Sequence, residues 1–318
     1  MHAVLIAADQ SLVWSEVPDP TPGPGDVVID VHAAALNRAD LMQRAGHYPP
    51  PPGWPEWMGL EVAGVISHAP TGGRFRPGDR VCALLGGGGY AEKAAVPAGM
   101  VLPIPEGLTM VQAAAIPEAF ATSYLNLCIE GGLQAGDTVL IQAGASGLGM
   151  AAIQLAKALG GTVMTTVSTE EKAAFVRGLG ADIVVNRTTD DLAAAMEAHP
   201  VDIALDCIGG PDLGRCVEKM ALGGRWIVIA TLGGPKTELD ANVFFRRGLR
   251  LIGSTLRSRT PEMKAEILAG LERVLWPAFS AGAIKPIIHA TLPMTQAAEA
   301  HAILQRRENL GKVVLTNG

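Results

Sequence analysis

The chain has 318 residues, 48% hydrophobic and 18% charged, with a net charge of −6, which points to a soluble globular protein of roughly two domains rather than a disordered or membrane-spanning one. No lysine/arginine stripe interleaved with aromatics accompanies that acidic balance, which argues against nucleic acid as the main partner. Four cysteines, Cys82, Cys128, Cys207 and Cys216, show no C-x-x-C spacing and suit reduced thiols in a cytosol, and the opening M-H-A-V-L-I-A-A-D lacks the basic-then-apolar order of a secretion signal.

From residue 1 to about 101 the pattern is short extended segments broken by proline and glycine, at 3–6, 26–35, 60–68 and 80–84, which predicts an all-β region with little helix. The proline-rich stretch 18–26 and F-R-P-G-D-R at 75–80 are turns feeding strands. In Y-P-P-P-P-G at 48–53 each residue before a proline is pushed to extended geometry, so Tyr48 is expected at a defined angle; the plainer alternative is a rigid surface loop. The glycine run 86–89 precedes the strand-like Y-A-E-K-A-A-V, so it reads as a turn without the helix start that a phosphate cradle needs. A helical stretch at 113–130, interrupted at Pro117, leads out of the β region as an interdomain hinge.

The stretch 138–160, T-V-L-I-Q-A-G-A-S-G-L-G-M-A-A-I-Q-L-A-K-A-L-G, is the one around which the other segments are organised. It predicts a buried strand, a glycine turn from Gly144 to Gly149, and a helix with Leu148, Ala152, Leu155 and Leu159 on one apolar face. Glycines let the backbone approach a pyrophosphate, and the helix start favours its charge. The G-x-G-x-x-G pattern is imperfect, with Ser146 at its middle position. Strands at 162–167, 183–186, 201–206, 225–230 and 251–254 then alternate with helices at 170–179, 190–198 and 212–220, predicting a doubly wound parallel sheet. A long helix at 261–281 and an extended piece at 312–316 return to the β region, so the nucleotide-binding domain is expected as an insertion in a β domain.

Sheets that prefer NAD carry an acidic residue at the end of the second strand, where it bonds the ribose 2′-hydroxyl. Here Val167, Ser168 and Thr169 occupy that place, followed by Lys172 and, after the third strand, Arg187. Small hydroxyls and two cations match a 2′-phosphate; the alternative is that both are ordinary solvated charges.

These residues resemble the zinc-free medium-chain dehydrogenase/reductases, in particular the zeta-crystallin-like NADPH:quinone oxidoreductases. The resemblance runs nearly end to end, through A-A-L-N-R-A-D-L-M-Q-R at 34–44, G-H-Y-P-P-P-P-G at 46–53, G-L-E-V-A-G at 59–64, A-A-A-I-P-E-A-F at 113–120, G-A-S-G-L-G at 144–149, L-D-C-I-G-G at 205–210, G-G-R-W at 223–226, L-R-S-R at 256–259 and N-L-G-K-V-V-L at 309–315. The segments 37–44 and 256–259 look most like the branch of stress-induced quinone oxidoreductases. The resemblance implies an α/β chain in which a doubly wound parallel (Rossmann) sheet, residues 122–256, is inserted in a GroES-like β-rich catalytic domain, residues 1–121 plus 257–318. It also implies a homodimer, while the cysteine usage and the missing secretion signal predict a cytoplasmic location.

Zinc-dependent members of that superfamily have a cysteine near the position of Asn37 and a histidine in G-H-E, where this chain has Gly59, Leu60 and Glu61; no metal is therefore expected. By resemblance, NADPH should touch Asn37 and Tyr48 near the nicotinamide, Thr122 at the hinge, Gly144, Ala145, Ser146, Gly147 and Leu148 at the pyrophosphate, and Ser168, Lys172 and Arg187 at the 2′-phosphate. Arg187 stands where the family usually has a tyrosine. Thr231, Leu232 and Gly233, with Ser254, Thr255 and Leu256, would line the sugar and nicotinamide, and Lys312 would close the site. The expected activity is hydride transfer from NADPH to a quinone or related conjugated carbonyl between the domains, with Tyr48 and Asn37 orienting the acceptor and no histidine or carboxylate standing out as general acid. An enone or enoyl-thioester reductase is the alternative within enzymes. A non-catalytic NADPH-binding protein of crystallin or RNA-binding type is the alternative of another class.

Overall fold

The computed structural model describes residues 1–317. The chain divides into two compact units, one formed by residues 1–121 with the segment from Arg257 onward, the other by Thr122–Leu256.

In the first unit, β1 (His2–Ile6) and β2 (Leu12–Glu16) form an antiparallel ribbon. β3 (Asp26–Ala35) is the spine of the main sheet. It is followed by the short helix α1 (Arg38–Arg44), then β4 (Glu61–His68), β5 (Arg80–Leu84), β6 (Lys93–Pro97) and β7 (Val101–Pro103). β3 pairs antiparallel with β4 and β6, and β5 bridges β4 to β7. Strand β4 can lie tight on β3 only because position 64 is glycine: a Cβ there would sit 2.0 Å from the Asp30 carbonyl oxygen.

The little helix expected in this region includes α1. Asn37 is extended (φ −129°, ψ 154°), and its N–H donates to the carboxylate of Asp40, three residues on, at 2.7 Å, the sequence signature of a helix start. Farther along, α2 (Met110–Ala114) starts from a Thr109/Gln112 capping box, and Pro117 opens α3 (Pro117–Tyr124), which runs into one π-helical turn at Leu125–Glu130. The break expected at Pro117 is thus a second helix start, because proline lacks only an N–H that the first turn leaves unpaired anyway.

The second unit alternates strictly: β8 (Thr138–Ile141), α4 (Gly147–Ala158), β9 (Thr162–Val167), α5 (Glu170–Gly178), β10 (Ile183–Asn186), α6 (Leu192–Ala198), β11 (Ile203–Asp206), α7 (Gly210–Val217), β12 (Arg225–Val228), α8 (Ala241–Arg246) and β13 (Arg250–Gly253). The six strands are parallel in the order β10-β9-β8-β11-β12-β13. Chain order therefore reverses between β8 and β11, and ligands of such sheets bind at the strands' carboxyl ends at that reversal. Helix α4 is buried from Gly149 through Ala156, whereas Leu148 and Leu159 are only half-buried. The expected single apolar face is too narrow, because Ala151, Ala152 and Ala156 leave no polar side to project into water.

The chain returns to the first unit with α9 (Pro261–Ser280), β14 (Ile288–Pro293), α10 (Ala297–Arg306) and β15 (Lys312–Thr316). β15 pairs antiparallel with β3 and parallel with β14, which places the last strand against the spine of the sheet.

Candidate functional site

In the second unit the turn between β8 and α4 is built from backbone. Thr166 of β9 accepts from the Gly144 N–H through its carbonyl (3.0 Å) and from the Ala143 N–H through its hydroxyl (3.0 Å). Ala143 sits at φ 56°, a left-handed conformation that a side chain rarely adopts. Gly144 has no room for a side chain, since a Cβ would lie 2.1 Å from Thr165 Oγ1, and a Cβ on Gly149 would lie 2.5 Å from Gly144 Cα. Ser146 caps the helix by accepting from the Gly149 N–H at 3.0 Å. The N–H groups of Gly147 and Leu148 then have no intrahelical acceptor. Together with the helix dipole they are groups that could hold an anion at the β8/β11 reversal.

Beside it, β9 ends at Val167. Ser168 is half-buried, and Thr169 caps α5 by accepting from the Lys172 N–H at 3.2 Å. The Arg187 N–H donates to the Val167 carbonyl at 3.0 Å, which ties the end of β10 to the end of β9 and brings Arg187 beside Ser168, its side chain exposed. The Glu170 carboxylate is occupied by Asn186, which donates to it at 3.2 Å.

Across the reversal, buried Asp206 accepts from the N–H groups of Ile208 (2.7 Å) and Gly209 (3.0 Å) and from the Trp226 indole (2.8 Å), so the loop after β11 is pinned to the core. The Gly233 N–H donates to the Ile208 carbonyl at 2.7 Å, which holds Thr231, Leu232 and Gly233 against that loop. After β13 the Ser254 hydroxyl is buried with no hydrogen-bond partner among the described residues, a cost unless a ligand supplies one. Thr255 is exposed and Leu256 buried. Thr122, in α3, accepts from the Asn126 amide at 2.7 Å through its carbonyl.

The first unit holds a network of charged side chains. Lys312 is 3% exposed, and its Nζ donates to Glu61 Oε1 (2.6 Å), Asn37 Oδ1 (2.8 Å) and the Leu36 carbonyl (2.7 Å). Asn37 Nδ2 donates to the same Glu61 oxygen at 3.0 Å, and the other carboxylate oxygen accepts from the Glu118 N–H at 2.8 Å. Asp40 accepts from the Tyr90 hydroxyl (3.0 Å) and the Gly59 N–H (3.2 Å), and burial pushes its carboxyl up to about 6. Glu118, in the first turn of α3, is pushed up to about 7 by burial and by the Glu61 charge, against the pull of Lys312 and Lys264.

Residues 23–106 match the alcohol dehydrogenase GroES-like domain family and residues 147–272 the zinc-binding dehydrogenase family. A pig (Sus scrofa) quinone oxidoreductase is 31% identical over 311 residues, covering 95% of this chain and 92% of its own length. The human synaptic vesicle membrane protein VAT-1 homolog is 32% identical over 317 residues, covering 94% and 81%. The quinone oxidoreductase of Thermus thermophilus, solved alone and with NADPH, superposes with a TM-score of 0.84 at 32% identity over 100% of both chains.

The chain belongs to the medium-chain dehydrogenase/reductase family. Within it the chain falls among the quinone oxidoreductase/VAT-1-like members, with a GroES-like β domain and a Rossmann-like sheet.

In this medium-chain dehydrogenase/reductase, Asn37 has its amide bonded to Glu61 and Lys312, and Leu60 is apolar and buried; an occupied amide and an alkyl side chain do not suit a tetrahedral zinc site. Among the described residues no three His, Cys, Asp or Glu side chains gather as potential metal ligands. The structure gathers Asn37 with Lys312 in the first unit, and Gly144 through Leu148 with Ser168 and Arg187 at neighbouring strand ends in the second. Sequence reasoning misses Glu61 and Glu118 as members of this network. Each falls inside one of the family-like motifs, but their signal is a buried charge, which becomes visible only when distant segments meet.

Proposed function

We propose that the protein is an NADPH-dependent reductase of quinones or related conjugated carbonyls. The helix start at the β8/β11 reversal, with the Ser168 hydroxyl and Arg187 at the neighbouring strand ends and Lys172 in the first turn of α5, carries the cofactor half of this reading. The NADPH-bound quinone oxidoreductase relative supports it. The donor set fits the group: Gly147 and Leu148 N–H for the pyrophosphate, Ser168, Lys172 and Arg187 for the 2′-phosphate, and the unpartnered Ser254 hydroxyl for a polar atom of the nucleotide. NADPH, when bound, supplies the hydride.

The acceptor half rests on Tyr48, whose ring is half-buried and whose hydroxyl has the chemistry to donate to a carbonyl oxygen. Asn37 stands beside it in the reading, its amide held by Glu61 and Lys312 so that both its donor and its acceptor have fixed directions. If the Tyr48 hydroxyl stabilises charge developing on the acceptor oxygen, Tyr48→Phe lowers kcat by about ten- to a thousandfold with little change in NADPH affinity. Stopped-flow NADPH oxidation with a naphthoquinone, run beside benzoquinone and a crotonyl thioester, checks both the residue and the acceptor class. Full-rate turnover by both Tyr48→Phe and Tyr48→Ala removes Tyr48 from the reaction, and turnover confined to the thioester moves the protein to the enoyl reductases.

The partner in this reading is a second copy of the chain. β13 is an edge strand with Leu251 exposed, and near it in the chain Phe245 is 67% exposed; an uncovered strand edge with apolar neighbours favours pairing. Light scattering behind size exclusion should give twice the chain mass, and a monomer at micromolar concentration rejects it.

A further inference from the structure

We propose that Arg257 is the positioning residue for Tyr48, fixing the ring through its face and its backbone at once; this rests on Tyr48 being the acceptor-orienting group. The guanidinium carbon lies 4.6 Å from the centroid of the Tyr48 ring, and NH1 donates to the Tyr48 carbonyl at 2.9 Å. Its remaining donors reach two other segments, NH2 to Gln43 Oε1 at 2.7 Å and Nε to the Gly86 carbonyl at 3.1 Å. Arg257 is 5% exposed, so the planar fork is held without competition from water. Its anchors are themselves anchored: Gln43 donates to the Glu56 carbonyl at 2.7 Å, and Lys264 Nζ donates to the Arg257 carbonyl at 3.0 Å.

The proline run does not account for this placement. It reverses immediately, with the Trp54 N–H donating to the Pro51 carbonyl at 3.2 Å and Gly53 at φ 87°, the geometry of a turn with proline then glycine at its centre. The prolines restrict the backbone of Tyr48, but the contact shown to its ring is the arginine, 209 residues away in the chain.

The pairing also sets the ring's chemistry. Burial first and the Glu118 charge second push the Tyr48 phenol above its ordinary range, and Arg257 is the cation opposing both. Asp40, Glu118 and Lys264 are the other charged groups acting on this pair. A cation on the face of a phenol stabilises the negative charge that spreads into the ring as the O–H bond polarises, so the contact that holds the ring also makes its hydroxyl a better donor.

The test pairs Arg257→Lys and Arg257→Gln with Tyr48→Phe. Arg257→Lys, which keeps the charge and loses the fork, should lower kcat about tenfold or more, as expected for a misplaced reacting group, while KM for NADPH stays within about twofold. In the Tyr48→Phe background the same change should cost little, because the hydroxyl it positions is gone. Arg257→Gln should raise the ionisation pH of the tyrosine ring signal that is absent from Tyr48→Phe, followed by NMR of carbon-13-labelled tyrosine. If that variant is too unstable, Gln43→Met, which removes one anchor of the guanidinium, should lower kcat in the same sense. Equal losses from Arg257→Lys with and without the Tyr48 hydroxyl, or an unmoved ionisation in Arg257→Gln, overturn the inference. Full activity of Tyr48→Phe with a raised ionisation in Arg257→Gln leaves the pairing standing and removes instead the role of Tyr48 in turnover.

Discussion

In the second unit the candidate site is backbone and the absence of side chains: N–H groups at the start of α4, and glycines that let Gly144, Gly149 and β9 approach. In the first unit it is the reverse: the charged ends of Lys312 and Glu61 meet in a buried region, and the buried Arg257 guanidinium is held separately by Gln43, Gly86 and the Tyr48 carbonyl. A backbone site needs no partner to hold its charge, because helix geometry supplies the donors. A buried charged network stands only while every member is matched. The two regions should therefore fail differently when altered.

The sharpest contrast is at Lys312. Lys312→Met leaves the Glu61 carboxylate buried without its cation, and breaking such a pair costs about 3–5 kcal/mol. Urea unfolding should show the midpoint falling accordingly, and Glu61→Gln added to it should restore much of the loss. If the single variant is as stable as wild type, the network is not what holds β15 to the site.

The network should also respond to pH, as the glycine turn does not. Asp40 has its carboxyl raised from 3.8 to about 6 by burial, so the folded chain keeps a proton that the unfolded chain releases. Stability from this group therefore falls as pH rises from about 4 to about 6 and is flat above, by up to about 3 kcal/mol. Glu118, raised from 4.5 to about 7, acts with the same sign to a slightly higher pH. Urea midpoints should decline from pH 5 to 7, and Asp40→Asn should flatten that slope; a wild-type slope of the opposite sign would count against the burial of both acids.

At the glycine turn the effect is steric. A methyl group on Gly149 meets Gly144 Cα and carbonyl oxygen at 2.5 Å each, backbone that cannot rotate aside, and overpacking of this kind costs about 1–3 kcal/mol. Gly149→Ala should lower both the melting temperature and NADPH affinity, whereas Gly178→Ala, with open space around its Cβ, should leave both unchanged. Unaltered NADPH binding by Gly149→Ala would dissociate the turn from the cofactor.

The smallest expected effect is cofactor choice. Lys172 is half-buried and Arg187 exposed, so each contact to a 2′-phosphate is worth about 1 kcal/mol or somewhat more, near tenfold in preference. Lys172→Ala should reduce the ratio of kcat/KM for NADPH over NADH by about that factor. An unchanged ratio means the 2′-phosphate is held elsewhere or not recognised.

Much of the second unit was legible because its information is local. Each strand from Thr138 to Gly253 and the glycine turn announce themselves within a few residues, through apolar runs, caps and turn glycines, and their ends were displaced by only a few residues. In the same unit α8, with only Val243 and Phe244 half-buried, is too short to show a helical period in sequence. The β-rich unit was less legible: α1 hides behind a single capping pair, and β2, β14 and α10 are short, partly exposed elements whose residues settle only against their neighbours.

By itself the sequence determined the alternation of the parallel sheet, the place of its glycine turn, and the lack of an acidic residue at the end of β9, since each depends on neighbours in the chain. Only the tertiary structure decided that Lys312 meets Glu61 across 251 residues and that Arg257 covers the ring of Tyr48. A charged side chain looks the same in sequence whether it faces water or an ion partner. Burial distinguishes the two, and burial is a property of the segments that pack around it.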